Sequence, residues 1–282
     1  MDPADWSWAG PPLDVRPVLP AERAELTGLL HDLQPGDWLR PTACPGWRVR
    51  DVVAHIVHDY IRKLSYGRDQ QARPGLRPGE TLPGFLHRSN QEFVDAAAGW
   101  SPRLLTGLLS DLGPQLDRWW AAADLGQHGE AVSWAAPGVP APAWLDIARE
   151  YSEYWVHQQQ VRDATGRPGA DSDLLTGPVV DVFLRAAPQA LAGLARPPGT
   201  CAEVAVTGPG SGRWTVSRAA ARWAVDRRAA DVPPAARIRL SSATLWRAAT
   251  RGITAETAIG RAEVTGDQAL GSALLHLVAI IR

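Results

Sequence analysis

The chain has 282 residues, which exceeds one typical helical bundle and suits two domains of about 100–200 residues each. Its 29 basic and 30 acidic side chains give a net charge of -1, so the whole chain has no charge-driven attraction to nucleic acid or to an anionic membrane. No run of about 18 uncharged apolar residues is present that could span a bilayer. Two cysteines imply no disulfide framework, and the start lacks the basic and apolar regions of a secretory signal. We therefore predict a cytoplasmic protein.

Apolar residues recur at helical spacing along the first 165 residues. A weaker helical pattern begins near Phe85, between the second and third of the strong ones. Prolines and glycines punctuate the strong patterns and mark where the helices begin and end. The four long helices predicted in this way cover about 20–35, 49–66, 102–123 and 142–165. Four long helices in one segment predict an antiparallel bundle.

The pattern changes after residue 170. A helix over about 173–194 is followed by a Pro-Pro-Gly linker, and apolar residues then alternate on both sides of a Gly- and Pro-rich turn at 207–212. This alternation predicts a β-hairpin, and a further strand is predicted around 238–240. With two short helices at the end, the second domain is predicted to be α+β. The predicted domains are 1–170 for the bundle, 171–199 for the bridging helix and linker, and 200–282 for the α+β domain.

Three side chains on the predicted bundle helices form a set that could hold a metal. Glu153 and His157 are four residues apart on the fourth long helix and so share a face, while His55 lies on the second. Two imidazoles and one carboxylate leave a fourth coordination position open, as a catalytic zinc site requires. All three fall outside the apolar stripes of their helices. We therefore expect them to line a polar cleft or to face solvent, rather than to lie buried.

The sequence resembles the mycothiol-dependent maleylpyruvate isomerase family of the DinB-like superfamily in two segments. Residues 42–55 read Thr-Ala-Cys-Pro-Gly-Trp-Arg-Val-Arg-Asp-Val-Val-Ala-His, which looks like the start of that family. Its second signature, a Glu, three residues, a His and then a polar run ending in Ala-x-Gly, is matched over 153–166. The C-terminal half resembles the family's sterol-carrier-like domain. The resemblance implies a DinB-like four-helix bundle followed by a smaller sterol-carrier-like α+β domain.

Carried over to this chain, the resemblance makes His55, Glu153 and His157 the ligands of a metal, with Zn²⁺ as the first expectation. It also implies mycothiol or a similar small thiol as co-substrate. A thiol on Zn²⁺ ionises below its usual pKa of about 8.5, and the thiolate can add to an electrophilic small molecule. Addition alone would give a transferase, and addition followed by expulsion of the thiol would give an isomerase.

Weaker candidates lie near this set or in the second domain. His58 could act as a proton carrier or substitute ligand, with an ordinary solvated helix histidine as the alternative. Cys44 is interpreted as a small buried side chain rather than a nucleophile. Arg247 and Arg251 could bind a carboxylate of the thiol or the substrate. The family often has a Gly-Arg pair near this point, whereas here the order is Arg251-Gly252.

Two other functions fit the same residues. Two histidines and one carboxylate also form the facial triad of Fe(II) oxygenases, and ligand types do not separate zinc from iron or nickel. The bundle could instead bind a small molecule without converting it. We predict no nucleic-acid or membrane partner, and the sequence leaves the oligomeric state open.

Overall fold

Residues 5–129, 134–229 and 232–279 are described by the computed structural model. Contacts within the chain group it into two compact units. The helical unit comprises Arg16–Ala123 and Glu153–Ala170, and the sheet unit comprises Met1–Val15, Asp124–Ser152 and Asp171–Ile281. Among the residues described, no helix combines the length and the apolar character needed to cross a bilayer.

The helical unit contains the four long helices predicted from the sequence, the last of them in part, and a fifth helix. They are α1 (Leu19–Asp32), α2 (Val49–Arg62), α3 (Leu82–Ala96), α4 (Pro102–Ala121) and the C-terminal part of α5 (Ala143–Thr165). The weak pattern near Phe85 is the full helix α3. The predicted helical bundle is therefore confirmed, with α3 as an additional helix.

Local sequence signals set the ends of these helices. The Oγ of Ser101 accepts a hydrogen bond from the backbone N–H of Leu104 at the start of α4, and Pro102 follows at the first helical position. At the start of α2, the Asp51 carboxylate accepts from the backbone N–H of Arg48. Helix α5 ends before Gly166, which has a φ of +67° that favours glycine.

Helix α2 is buried on one side and packs against two other helices of the unit. Its apolar stripe is at most 1% exposed at Val52, Val53, Ile56 and Val57, and the helix packs against both α3 and α4. Beyond Arg62 the helix continues as a π-helical segment, Lys63–Arg68. The predicted helix over 49–66 thus has the expected length but changes its hydrogen-bonding pattern at residue 63.

The sheet unit is α+β, as predicted. Its strands are β1 (Cys201–Thr207), β2 (Gly212–Arg218), β3 (Trp223–Asp226), β4 (Ala236–Ser241) and β5 (Glu263–Gly266). They form one sheet in the order β3-β2-β1-β4-β5, in which β1 and β4 are parallel and every other pair is antiparallel. The predicted hairpin is β1–β2. Its helices are α6 (Asp173–Leu184), α7 (Ala187–Ala190), α8 (Ser242–Ala249), α9 (Ala255–Arg261) and α10 (Gln268–Leu275).

The predicted helix over 173–194 is wrong in one respect, because it is broken into α6 and α7. Pro188 lacks an N–H, and its ring would clash with the carbonyl of Leu184 in a continuous helix. Helix α6 therefore ends at Leu184, and Pro188 lies in the first turn of α7, where its missing N–H is tolerated.

The two units are not continuous segments of the chain. Residues 124–152 precede the second half of α5 but belong by their contacts to the sheet unit, so α5 contributes residues to both units. The domain boundaries predicted from the sequence, after residues 170 and 199, follow chain order instead. They stay a prediction about which segments form separate domains.

Candidate metal centre

The helical unit brings together the three side chains predicted to hold a metal. His55 comes from the middle of α2, and Glu153 and His157 are one turn apart on α5. Their ligand atoms all lie within 4.8 Å of one another. The Oε1 atom of Glu153 is central, at 3.1 Å from Nε2 of His157 and 3.5 Å from Nε2 of His55.

These separations fit a single divalent ion. Bonds of about 2.0–2.2 Å in a tetrahedral arrangement put neighbouring ligand atoms roughly 3.3–3.5 Å apart. The two measured nitrogen–oxygen distances of 3.1 and 3.5 Å are close to that value. Two imidazole nitrogens and one carboxylate oxygen are ligands that zinc, iron and nickel all accept. The third pair, the ligand nitrogens of the two histidines, lies within 4.8 Å, so the cluster can hold such an ion once these nitrogens draw together.

The two histidines are buried, whereas the carboxylate is open to solvent. His55 is 6% and His157 is 8% exposed, but 41% of the Glu153 side chain is accessible. We expected neither histidine to be buried, and this expectation is wrong for both. The expectation came from a helical wheel, which considers one helix by itself. In the structure, a residue outside that helix packs on His55. The ring centre of Trp47, in the loop before α2, lies 5.2 Å from that of His55.

The charges of the cluster influence one another. Partial burial would raise the pKa of Glu153, but hydrogen bonds from His157 and His55 outweigh this effect and hold that pKa well below its ordinary value. Burial would lower the pKa of His157, but its contacts with Cys44 and Glu153 outweigh it and raise that pKa well above the usual range. Without a metal, the cluster therefore pairs a carboxylate with an imidazolium. A bound cation would replace the imidazolium proton.

Two neighbours of His157 were not identified from the sequence as part of the site. The Oε1 atom of Gln160 lies 2.8 Å from Nδ1 of His157 and 3.1 Å from Sγ of Cys44. The interpretation of Cys44 as a buried side chain is wrong, because this thiol is half-buried and hydrogen-bonded. The spacing of His157 and Gln160, three residues apart on one helix, is a signal that could have indicated their contact.

His58 lies outside the ligand cluster. Its ring stacks on Phe93 with ring centres 4.5 Å apart and planes 11° from parallel, and the residue is buried. Burial lowers the pKa of His58 to about 4, and the charges of Arg62 and His55 add to this effect. The alternative of a solvated helix histidine is therefore wrong. A role as a proton carrier stays a prediction.

The two candidate arginines lie in the sheet unit. The guanidinium of Arg247, on α8, is 4.2 Å from the ring centre of Trp246. Arg251 is exposed in the turn that follows and has a φ of +58°, in the region that favours glycine. Their roles in binding a carboxylate stay predictions.

Comparison with known proteins places the cluster in a recognised family. Residues 19–162, just over half of the chain, match the family model for the mycothiol maleylpyruvate isomerase N-terminal domain, and they include all three side chains of the cluster. Two solved structures, the mycothiol-dependent maleylpyruvate isomerase and its histidine-to-alanine mutant, are each 13% identical in sequence. Each alignment covers 83% of this chain and 86% of the other, with a TM-score of 0.49. No curated protein matches the chain. The chain therefore belongs to the mycothiol maleylpyruvate isomerase N-terminal domain family, and this membership indicates that it is an enzyme.

Proposed function

We propose that this protein is a zinc-dependent enzyme that activates a low-molecular-weight thiol, such as mycothiol, for addition to an electrophilic small molecule. The observation that carries the proposal is the cluster of His55, Glu153 and His157, whose ligand atoms lie within 4.8 Å of one another. The cluster falls inside the segment that matches the family model. The reaction would be a thiol transfer or a thiol-dependent isomerisation.

Each of the three side chains would give the ion one ligand atom, which leaves room at the ion for substrate. Nε2 of each histidine and Oε1 of Glu153 would be the ligand atoms. With both imidazoles neutral, the three side chains carry one negative charge and only partly neutralise a divalent cation. A bound Zn²⁺ would supply the remaining positive charge, which favours the ionised form of a nearby thiol.

Access to the cluster supports catalysis on small molecules. Glu153 is the ligand residue open to solvent, and the two histidines behind it are buried. The Trp47 ring packs on His55. We therefore infer that thiol and electrophile approach from the Glu153 side. Neither of the two cysteines forms a disulfide, which agrees with a reducing compartment such as the cytoplasm.

A non-haem Fe(II) enzyme is the second candidate, because the same two histidines and one carboxylate are the ligands of a facial triad. The metal found in the purified protein separates the two candidates. Zinc supports the thiol chemistry, and iron together with oxygen consumption would support the oxygenase.

The direct test is thiol-dependent turnover. We expect maleylpyruvate isomerisation, or conjugation of a test electrophile, when the wild-type protein is given mycothiol, and no turnover without a thiol. The variants His55→Ala and His157→Ala should lose this activity, since each removes a ligand. The matched control is His31→Ala, because His31 is an exposed histidine in the last turn of α1. Equal activity in all four proteins would overturn the proposal.

A further inference from the structure

We propose that Gln160 is a positioning residue that fixes the tautomer of His157 and thereby strengthens metal binding. The inference rests on the proposed function, because it concerns the same metal centre. It goes beyond that function by assigning a role to a residue that is not itself a ligand.

The direction of one hydrogen bond carries the argument. Oε1 of Gln160 is 2.8 Å from Nδ1 of His157, and an amide oxygen can only accept. Nδ1 therefore carries the hydrogen and donates it. In a neutral imidazole the other nitrogen then has the free electron pair. That nitrogen, Nε2, lies 3.1 Å from Oε1 of Glu153, on the side where the metal would bind.

Cys44 contacts the same end of the Gln160 amide as His157 does. Its Sγ lies 3.1 Å from the same oxygen, so the thiol and the imidazole both donate to it. If the amide were reversed, its NH₂ group would face these two groups, and the ring nitrogen would have to accept instead. The structure places Oε1, and not the NH₂ group, toward both groups, and this orientation leaves Nε2 of His157 free for the metal.

The other histidine of the cluster has no comparable support. Within the described part of the chain, Nδ1 of His55 is buried without a hydrogen-bond partner. Gln160 therefore acts on one ligand only. Groups that orient a metal-bound histidine in this way typically contribute roughly 10–100-fold to metal affinity.

The test compares two substitutions at the same position. Gln160→Met has similar length but replaces the amide oxygen by a thioether sulfur, which accepts hydrogen bonds only weakly, whereas Gln160→Glu keeps an oxygen acceptor and has no NH₂ group. We expect Q160M to raise the Kd for Zn²⁺ roughly 10–100-fold and Q160E to stay within a few-fold of the wild type. The measurement is competition against a chromophoric zinc chelator on the full chain.

Two further readouts separate positioning from a general loss of structure. Gln159→Leu is the matched control, because the Gln159 amide donates to the carbonyl of Gly169 and touches no ligand. It should change thermal stability without changing the Kd for zinc.

In the zinc-loaded protein, the Nδ1–H proton of His157 should be visible by NMR in the wild type and Q160E. In Q160M it should exchange too fast with water to be seen.

The outcomes distinguish this inference from the proposed function. A wild-type protein that binds no zinc would overturn both. Zinc binding by the wild type with an equal Kd in Q160M would overturn only the role of Gln160. A Q160E protein that binds as weakly as Q160M would also overturn it, because the oxygen acceptor would then be insufficient.

Discussion

Glu22 and Glu153 lie in the same helical unit, yet their surroundings shift the pKa of the two carboxyl groups in opposite directions. Glu153 faces two imidazoles, which together lower its pKa. Glu22, on α1, is fully buried, and burial raises its pKa to about 7 although the Gln158 amide donates to it and Arg23 lies near. Full burial thus outweighs the nearby arginine charges at Glu22, whereas the hydrogen bonds from two imidazoles outweigh burial at Glu153.

Glu22 should make the stability of the protein depend on pH. Its pKa is about 7 in the folded state and about 4.5 in the unfolded state, so only the folded state keeps the proton between these values. Stability should therefore fall as pH rises through this window and stay lower above it. The full effect is on the order of 3 kcal/mol.

The substitution Glu22→Gln should remove this dependence, because glutamine has no proton to release. In urea unfolding, the stability of E22Q relative to the wild type should be higher at pH 8 than at pH 5. If the difference in the free energy of unfolding between E22Q and the wild type is the same at pH 5 and at pH 8, Glu22 does not retain a proton in the folded state.

Residue spacing allowed the cluster of candidate ligands to be predicted, but not the surroundings of these side chains. Glu153 and His157 share a face because they are four residues apart, His55 was added from a second predicted helix, and the family resemblance implied the same three residues. Trp47 packs on His55, and the Cys44 thiol hydrogen-bonds to Gln160. Both residues lie in an irregular loop whose path no periodicity determines. These contacts could therefore not be predicted from the sequence.

At the scale of elements, the helix ends follow local signals while the irregularities do not. Pro20, Ser101-Pro102 and Gly166 mark ends that the structure places within a few residues of the predicted ones. The π-helical segment after α2 has no such signal in the sequence. The break between α6 and α7 does have a signal in the sequence, Pro188, but the strong apolar pattern of that stretch obscured it.

The cap of α4 provides a direct check of this local control. Replacing Ser101 by alanine removes the acceptor for the backbone N–H of Leu104 and should cost about 1 kcal/mol of stability. The matched control is Ser110→Ala within the same helix, since that hydroxyl only donates to the carbonyl of Thr106, a group already used by the helix. Urea unfolding should show a larger loss for S101A than for S110A, and equal losses would contradict the capping role.

At the scale of the whole molecule, a metal would link two helices that are far apart in sequence. His55 comes from α2, and the other two ligands from α5, nearly 100 residues later. The sequence predicted both helices but not that these faces meet, because that depends on the packing of the entire bundle. A ligand that binds only the folded state stabilises it by about 2.7 kcal/mol at 100 times its Kd. Zinc should therefore stabilise the folded chain as well as supply its chemistry.

The measurement that tests the central claim most directly is the metal content of the full chain, purified without a polyhistidine tag, by inductively coupled plasma mass spectrometry. We predict close to one zinc per chain in the wild type and in the control His31→Ala, and loss of that zinc in His55→Ala and His157→Ala. A melting temperature that rises with added zinc in the first pair, and not in the second, should accompany this result. No metal in any of the proteins after reconstitution, or equal zinc in all four, would contradict the account.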